Sequence, residues 1–115
     1  MAVLSFSSSR RIFVLRAATD MRRGIDRLVS TVLAEFHEDP RAGDCFVFIG
    51  RDRRRLKVLA WDDGGYWLCA KRLDAGTFAV PDATEATMVL SPARMHLLLA
   101  GIDVKSARYR KRLAH

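Results

Sequence analysis

One change of apolar period divides this chain and limits the folds open to it. Between Met21 and Phe36 the apolar residues are Met21, Ile25, Leu28, Val29, Val32, Leu33 and Phe36. Their steps of four, three, one, three, one and three lie on one face of a helix. Arg22, Arg23, Asp26, Arg27, Ser30 and Glu35 take the other positions. Thr19 or Asp20 is the expected cap. Asp39-Pro40 and Gly43 end the segment. From Cys45 onward the helical period is gone, and short apolar or alternating runs separated by turn residues replace it.

The strand runs follow one another closely. Cys45 to Ile49 is continuously apolar, and Gly50 to Arg54 makes a reversal. Arg55 to Trp61 alternates, with Leu56, Val58 and Ala60 on one face. Asp62-Asp63-Gly64-Gly65 is a strong turn, because Asp and Gly tolerate positive φ. Tyr66 to Arg72 is the next strand, then the turn Asp74-Ala75-Gly76 and a short strand from Thr77 to Val80, closed by Pro81. Ile12 to Leu15 reads as a strand before the helix, and Thr87 to Leu90 as a last edge strand. Ser91-Pro92 starts a second helix, with an apolar stripe of Met95, Leu98, Leu99 and Ile102 and an end at Gly101. The expected fold is α+β, an antiparallel four- to six-stranded meander sheet with two helices packed over one face. Residues 1–10 are expected to be a flexible N-terminus, 11–103 a single domain, and 104–115 a basic C-terminal tail without regular period.

The chain has 115 residues, half of them hydrophobic, enough for one domain with a core. The formal charge is +7 and the isoelectric point about 10.2. That balance favours a polyanionic partner and says little about fold. No stretch approaches the roughly 20 apolar residues of a membrane span. Met1 to Phe6 is too short for a signal peptide, and its arginines follow it. The cytoplasm is the expected compartment, with no membrane partner. Cys45 and Cys69 lie in apolar runs with no CxxC spacing, the pattern of buried free thiols, and a disulfide between strands stays open.

No catalytic pattern competes with the charge. His37, His96 and His115 are far apart, and His37-Glu38-Asp39 are neighbours in a turn that do not converge on one ion. Asp62 and Asp63 serve a turn; Asp20 serves a cap, and Asp26 can pair with Arg22 or Arg23. Gly64-Gly65 lacks the lysine and helix of a phosphate loop. No cofactor and no metal are expected, and a metal-dependent nuclease is the weakest of the functional readings.

The basic residues are concentrated. Arg51-Asp52-Arg53-Arg54-Arg55-Leu56-Lys57 carries five positive charges against one negative where the chain reverses. Guanidinium forks match phosphate oxygens and guanine edges, and a phosphate clamp is expected ahead of sequence readout. Arg22, Arg23 and Arg27 on the first helix, Lys71 and Arg72 after the aromatics, and Arg108, Arg110, Lys111 and Arg112 in the tail complete the candidate contacts. The bland reading is a solvated turn that protects an edge. Trp61, Tyr66 and Trp67 read first as cross-strand packing, with base stacking as the alternative.

Several segments together resemble a known family. They are Thr19-Asp20-Met21-Arg22-Arg23-Gly24-Ile25-Asp26, Cys45-Phe46-Val47-Phe48, Leu56-Lys57-Val58-Leu59 with Trp61-Asp62, and Gly65-Tyr66-Trp67-Leu68 with Lys71-Arg72-Leu73. Gly76-Thr77-Phe78, Leu90-Ser91-Pro92 and Leu98-Leu99-Ala100-Gly101-Ile102-Asp103 follow. The series, over roughly residues 11 to 103, resembles the small second-frame accessory proteins of the insertion-sequence-66 transposon family, often called TnpB. The unrelated RNA-guided nucleases of the same name are far longer. The resemblance implies a bacterial mobile-element protein that accompanies a separate transposase and brings no catalytic residue with it. Cys45, Cys69, a shortened acidic turn before Phe78, and Val80 in place of an aromatic depart from the family pattern. The expected function is a non-catalytic accessory protein that binds DNA and bridges to the transposase; the alternative is a protein–protein adaptor.

Overall fold

The continuous apolar run becomes the central strand of the sheet. The computed structural model describes residues 10–81, 83–103 and 108–109, with 102, 103, 108 and 109 described by backbone alone. Strands β1 (Ile12–Thr19), β2 (Cys45–Gly50), β3 (Arg55–Asp62), β4 (Gly65–Arg72) and β5 (Thr87–Leu90) form one sheet in the order β4-β3-β2-β1-β5. Every residue of β2 is buried, as a strand flanked on both sides and covered on both faces must be.

The five strands and two helices match the expected α+β class, but the sheet is mixed. β2, β3 and β4 form the antiparallel meander, and β5 is antiparallel to β1. β1 and β2 run parallel, with Phe13 opposite Phe46 and Leu15 opposite Phe48. The helical segment between them returns the chain to its starting end, which a tight hairpin cannot do. Thr77 to Val80 forms no strand. Instead Phe78 is buried with Leu73 in the core on the face of the sheet that the second helix covers, and Val80 packs against that core.

The helices lie on opposite faces, not on one. Helix α1 (Ile25–Thr31) continues into a π-helical turn, Val32–Phe36, that ends at His37 with φ 54°. Leu28, Val32 and Phe36 pack on Phe13, Leu15, Phe46, Phe48 and Leu59. Phe46 stacks on Phe13 at 5.4 Å and meets Phe36 edge-on at 5.2 Å. Helix α2 (Pro92–Leu99) sends Met95 and Leu98 to the other face, against Ile12, Val14, Cys45, Val47 and Ile49. Alternate residues of β1 and β2 thus serve two cores. The Ser91 hydroxyl accepts the Arg94 N–H at 3.2 Å, the expected cap. The first helix starts at Ile25, four residues later than the Met21 its apolar period suggests, and Gly24 at the cap offers no side-chain bond. Asp20 instead accepts the Arg22 N–H at 2.9 Å in the turn before it. Cys45 and Cys69 are free thiols, the first buried. Two further strands, β6 (Ile102–Asp103) and β7 (Arg108–Tyr109), pair antiparallel, so Ile102, expected on the stripe of the second helix, lies in a strand beyond its end at Leu99.

Candidate nucleic-acid interface

The parallel pairing of β1 and β2 decides where the arginines meet. Their C-terminal ends lie side by side, with Thr19 opposite Gly50. The turn after β1 (residues 20–24) and the turn after β2 (residues 51–54) therefore leave the sheet at the same end. Ligands of open sheets gather at the carboxyl ends of parallel strands. Gly50 makes the close approach possible: a Cβ there would stand 2.7 Å from Met21 Cγ. Met21 is buried against the base of the second turn.

Backbone bonds pin that second turn. The Arg53 N–H donates to the Gly50 carbonyl at 2.9 Å, and Arg53 itself has φ 57°. Asp52 Oδ1 accepts the Arg54 N–H at 2.9 Å. The carbonyls of Arg53 and Arg54 accept the N–H groups of Phe78 and Leu73 at 2.6 and 2.8 Å. With the main chain so held, the side chains of Arg51, Arg53, Arg54 and Arg55 are all exposed.

Carboxylates offset only part of the charge. Arg22 pairs with Asp20 at 2.8 Å, Arg55 with Asp52 at 3.6 Å, and Arg72 with Asp74 at 4.0 Å. The Arg22 guanidinium and N–H hold the Asp20 carboxyl well below the usual carboxylate range. The Arg54 N–H and then the Arg55 charge lower that of Asp52. Among the described residues no carboxylate lies within ion-pair distance of Arg51, Arg53 or Arg54, although the Arg54 charge also reaches Asp52. Arg55 stands directly opposite Arg72 on the neighbouring strand, an arrangement of like charges that costs stability. One cleft holds Arg22, Arg51 and Arg55 with Asp20 and Asp52. A second holds Arg54, Arg55 and Arg72 with Asp52 and Asp74. Six arginines, with Arg53 at the turn, thus face three aspartates along one rim.

Other basic residues expected at the site are engaged within the chain. Lys57 Nζ donates to the Arg23 carbonyl at 2.9 Å, tying β3 to the turn before α1. Arg23 donates to the Thr31 hydroxyl at 2.9 Å. Lys71 Nζ donates to the Leu99 carbonyl at 2.9 Å, at the end of α2 where a cation is favoured. Arg27 lies on α1, beyond the wall formed by residues 18–20. Arg108 is placed by its backbone in β7, and Arg110, Lys111 and Arg112 lie outside the described residues. Trp61 and Tyr66 are a cross-strand pair, edge-on at 4.8 Å, and Arg41 sits 4.8 Å over the Trp61 ring. That is packing; Trp67 is the exposed aromatic of the three.

Among the described residues no three His, Cys, Asp or Glu side chains gather as metal ligands, and no helix is long and apolar enough to cross a membrane. The family model described as IS66 Orf2 like protein matches residues 10–109. Two curated relatives come from Sinorhizobium fredii (strain NBRC 101917 / NGR234). Uncharacterized protein y4jC is 37% identical over 97 residues, covering 84% of this chain and 83% of its own length. Uncharacterized protein y4hO is 42% identical over 94 residues, covering 81% of each. No solved structure matches this chain. With a matching segment that takes in both arginine-bearing turns and all five strands of the sheet, the chain belongs to the IS66 Orf2-like family.

Proposed function

We propose that this protein is a non-catalytic accessory factor of IS66-type transposition that grips DNA phosphates along the arginine rim. The observation that carries the reading is the pinned turn whose Arg51, Arg53 and Arg54 have no ion-pair partner among the described residues, beside the facing pair Arg55 and Arg72. A sheet gains nothing from like charges directly opposite each other, and a polyphosphate chain laid across them turns the repulsion into attraction. Arg51, Arg53 and Arg54 extend the same rim on a turn whose backbone is already fixed, so little ordering is needed on binding. Arg22 borders it from the preceding turn. The tail residues Arg108, Arg110, Lys111 and Arg112 add affinity, and the transposase is the protein partner to which the bound DNA is bridged.

Fluorescence anisotropy with a labelled duplex tests this. Binding that weakens steeply between low and moderate salt, alike for unrelated sequences, is the expected result. The adaptor reading gains from the opposite pattern. There the purified protein ignores DNA yet co-purifies with the transposase.

A further inference from the structure

Two buried polar atoms lack a hydrogen-bond partner among the described residues: Thr19 Oγ1 and Arg23 Nε. Buried polar groups are nearly always satisfied, so such a pair asks for an explanation. Both residues line a cleft of about 520 Å³ between the end of β1 and the helical segment, together with Arg27, Ser30 and Thr31. Thr19 is 5% exposed. Arg23 is anchored through its terminal nitrogen to Thr31, whose own hydroxyl donates to the Arg27 carbonyl at 2.9 Å. Its Nε–H is therefore held beside the cleft with nothing to bond. The π-helical turn adds Ala34 and Glu35 to the wall, and such turns occur frequently at functional sites.

The unmet groups are a guanidinium N–H and a hydroxyl, with a second guanidinium at the mouth. Asp20, itself paired with Arg22, and Glu35 also line the cleft, but the unmet guanidinium N–H can only donate, so the group it lacks is an acceptor such as an oxyanion. The cleft also shares the wall Ala18–Asp20 with the one that holds Arg22, Arg51 and Arg55. We propose that the cleft seats one phosphate group of the nucleic acid lying along the arginine rim, bound by Thr19, Arg23 and Arg27. This rests on the DNA-binding reading for the source of the phosphate, but not for the existence of the site. Both unmet atoms are buried, so a rotamer change of Thr19, or release of Arg23 from Thr31, accompanies binding. Glu35 opposes the anion.

Titration of the full chain with inorganic phosphate, followed by amide and methyl NMR, tests the site. Saturable shifts at Thr19, Arg27, Ser30 and Thr31 are expected. Thr19→Val, which keeps the side-chain shape, should weaken phosphate about tenfold, and Glu35→Gln should strengthen it, neither with a lower unfolding midpoint. Arg51→Ala, Arg53→Ala and Arg54→Ala together should leave phosphate binding intact while DNA binding falls. Better competition by a 5′-phosphorylated duplex than by an unphosphorylated one assigns the group to a strand end. Equal competition assigns it to the internal backbone, and both outcomes support the site. Absent or non-saturating shifts, or wild-type affinity in Thr19→Val, overturn it. Phosphate binding without any duplex binding refutes the DNA reading alone.

Discussion

Asp52 is a negative charge inside the arginine turn, and Asp52→Asn is predicted to tighten DNA binding. The carboxylate does two things: Oδ1 accepts the Arg54 N–H at 2.9 Å, and Oδ2 faces Arg55 Nε at 3.6 Å. Asparagine keeps an acceptor for the first bond and abolishes the ion pair. The turn retains its other backbone anchors at Gly50, Leu73 and Phe78, and exposed ion pairs of this length contribute little to stability. The unfolding midpoint should therefore move little. Binding should change more. In the wild type Arg51, Arg53 and Arg54 have no carboxylate partner among the described residues. If each meets one phosphate, these three contribute about −2.7 to the slope of log K against log salt. Freeing Arg55 makes that about −3.6. Over a fourfold rise in salt the variant then loses about 3.5-fold more affinity than the wild type, starting from tighter binding at low salt. Anisotropy of a labelled duplex across a salt series reads both quantities. An unchanged slope, or weaker binding at low salt, would refute the placement of DNA on this rim.

Three further outcomes follow from the same geometry. Phe46→Ala removes the ring that bridges Phe13 and Phe36 in the core under α1. It should cost about 3–5 kcal/mol in denaturant unfolding, and a loss below about 1 kcal/mol would contradict that core. Lys57→Met keeps the stem but cuts the tie to the Arg23 carbonyl. It should lower stability by about 1–2 kcal/mol and leave the salt slope unchanged, whereas a slope smaller by about 0.9 would make Lys57 a phosphate contact. Burial pushes the Cys45 thiol up, so alkylation at neutral pH, mapped by mass spectrometry, should reach half-buried Cys69 first; the reverse order would be inconsistent with β2 as the central strand.

The parts of this fold that were legible in the sequence are those with a local cause. The apolar stripe from Ile25 to Phe36, the Ser91-Pro92 helix start and the Asp62–Gly65 turn each declare themselves within a few residues. The strand directions did not. Whether Ile12 to Leu15 runs parallel or antiparallel to Phe46 depends on how the intervening helix crosses the sheet, which no local pattern records. The alternating residues of β1 did carry a hint, since Phe13 and Leu15 are as apolar as Ile12 and Val14. A strand apolar on both sides is covered on both faces, which places the two helices apart. At the site, charge alone could not separate Arg51 from Lys57 or Arg54 from Lys71. The difference lies in whether a main-chain carbonyl is within reach. The facing pair Arg55 and Arg72 was readable by counting back from the Asp62–Gly65 turn, because a two-residue turn fixes the register of both strands. Thr19 gave no signal, since a threonine before a helix reads as a cap.

The central claim is that the turn after β2 grips phosphate. Its most direct measurement compares the wild type with the Arg51→Ala, Arg53→Ala, Arg54→Ala triple variant on one labelled duplex across a salt series. The triple variant should keep its fold by circular dichroism, bind more weakly at low salt, and show a slope smaller by about 2.7. Equal affinity and equal slope for the two proteins would contradict the claim.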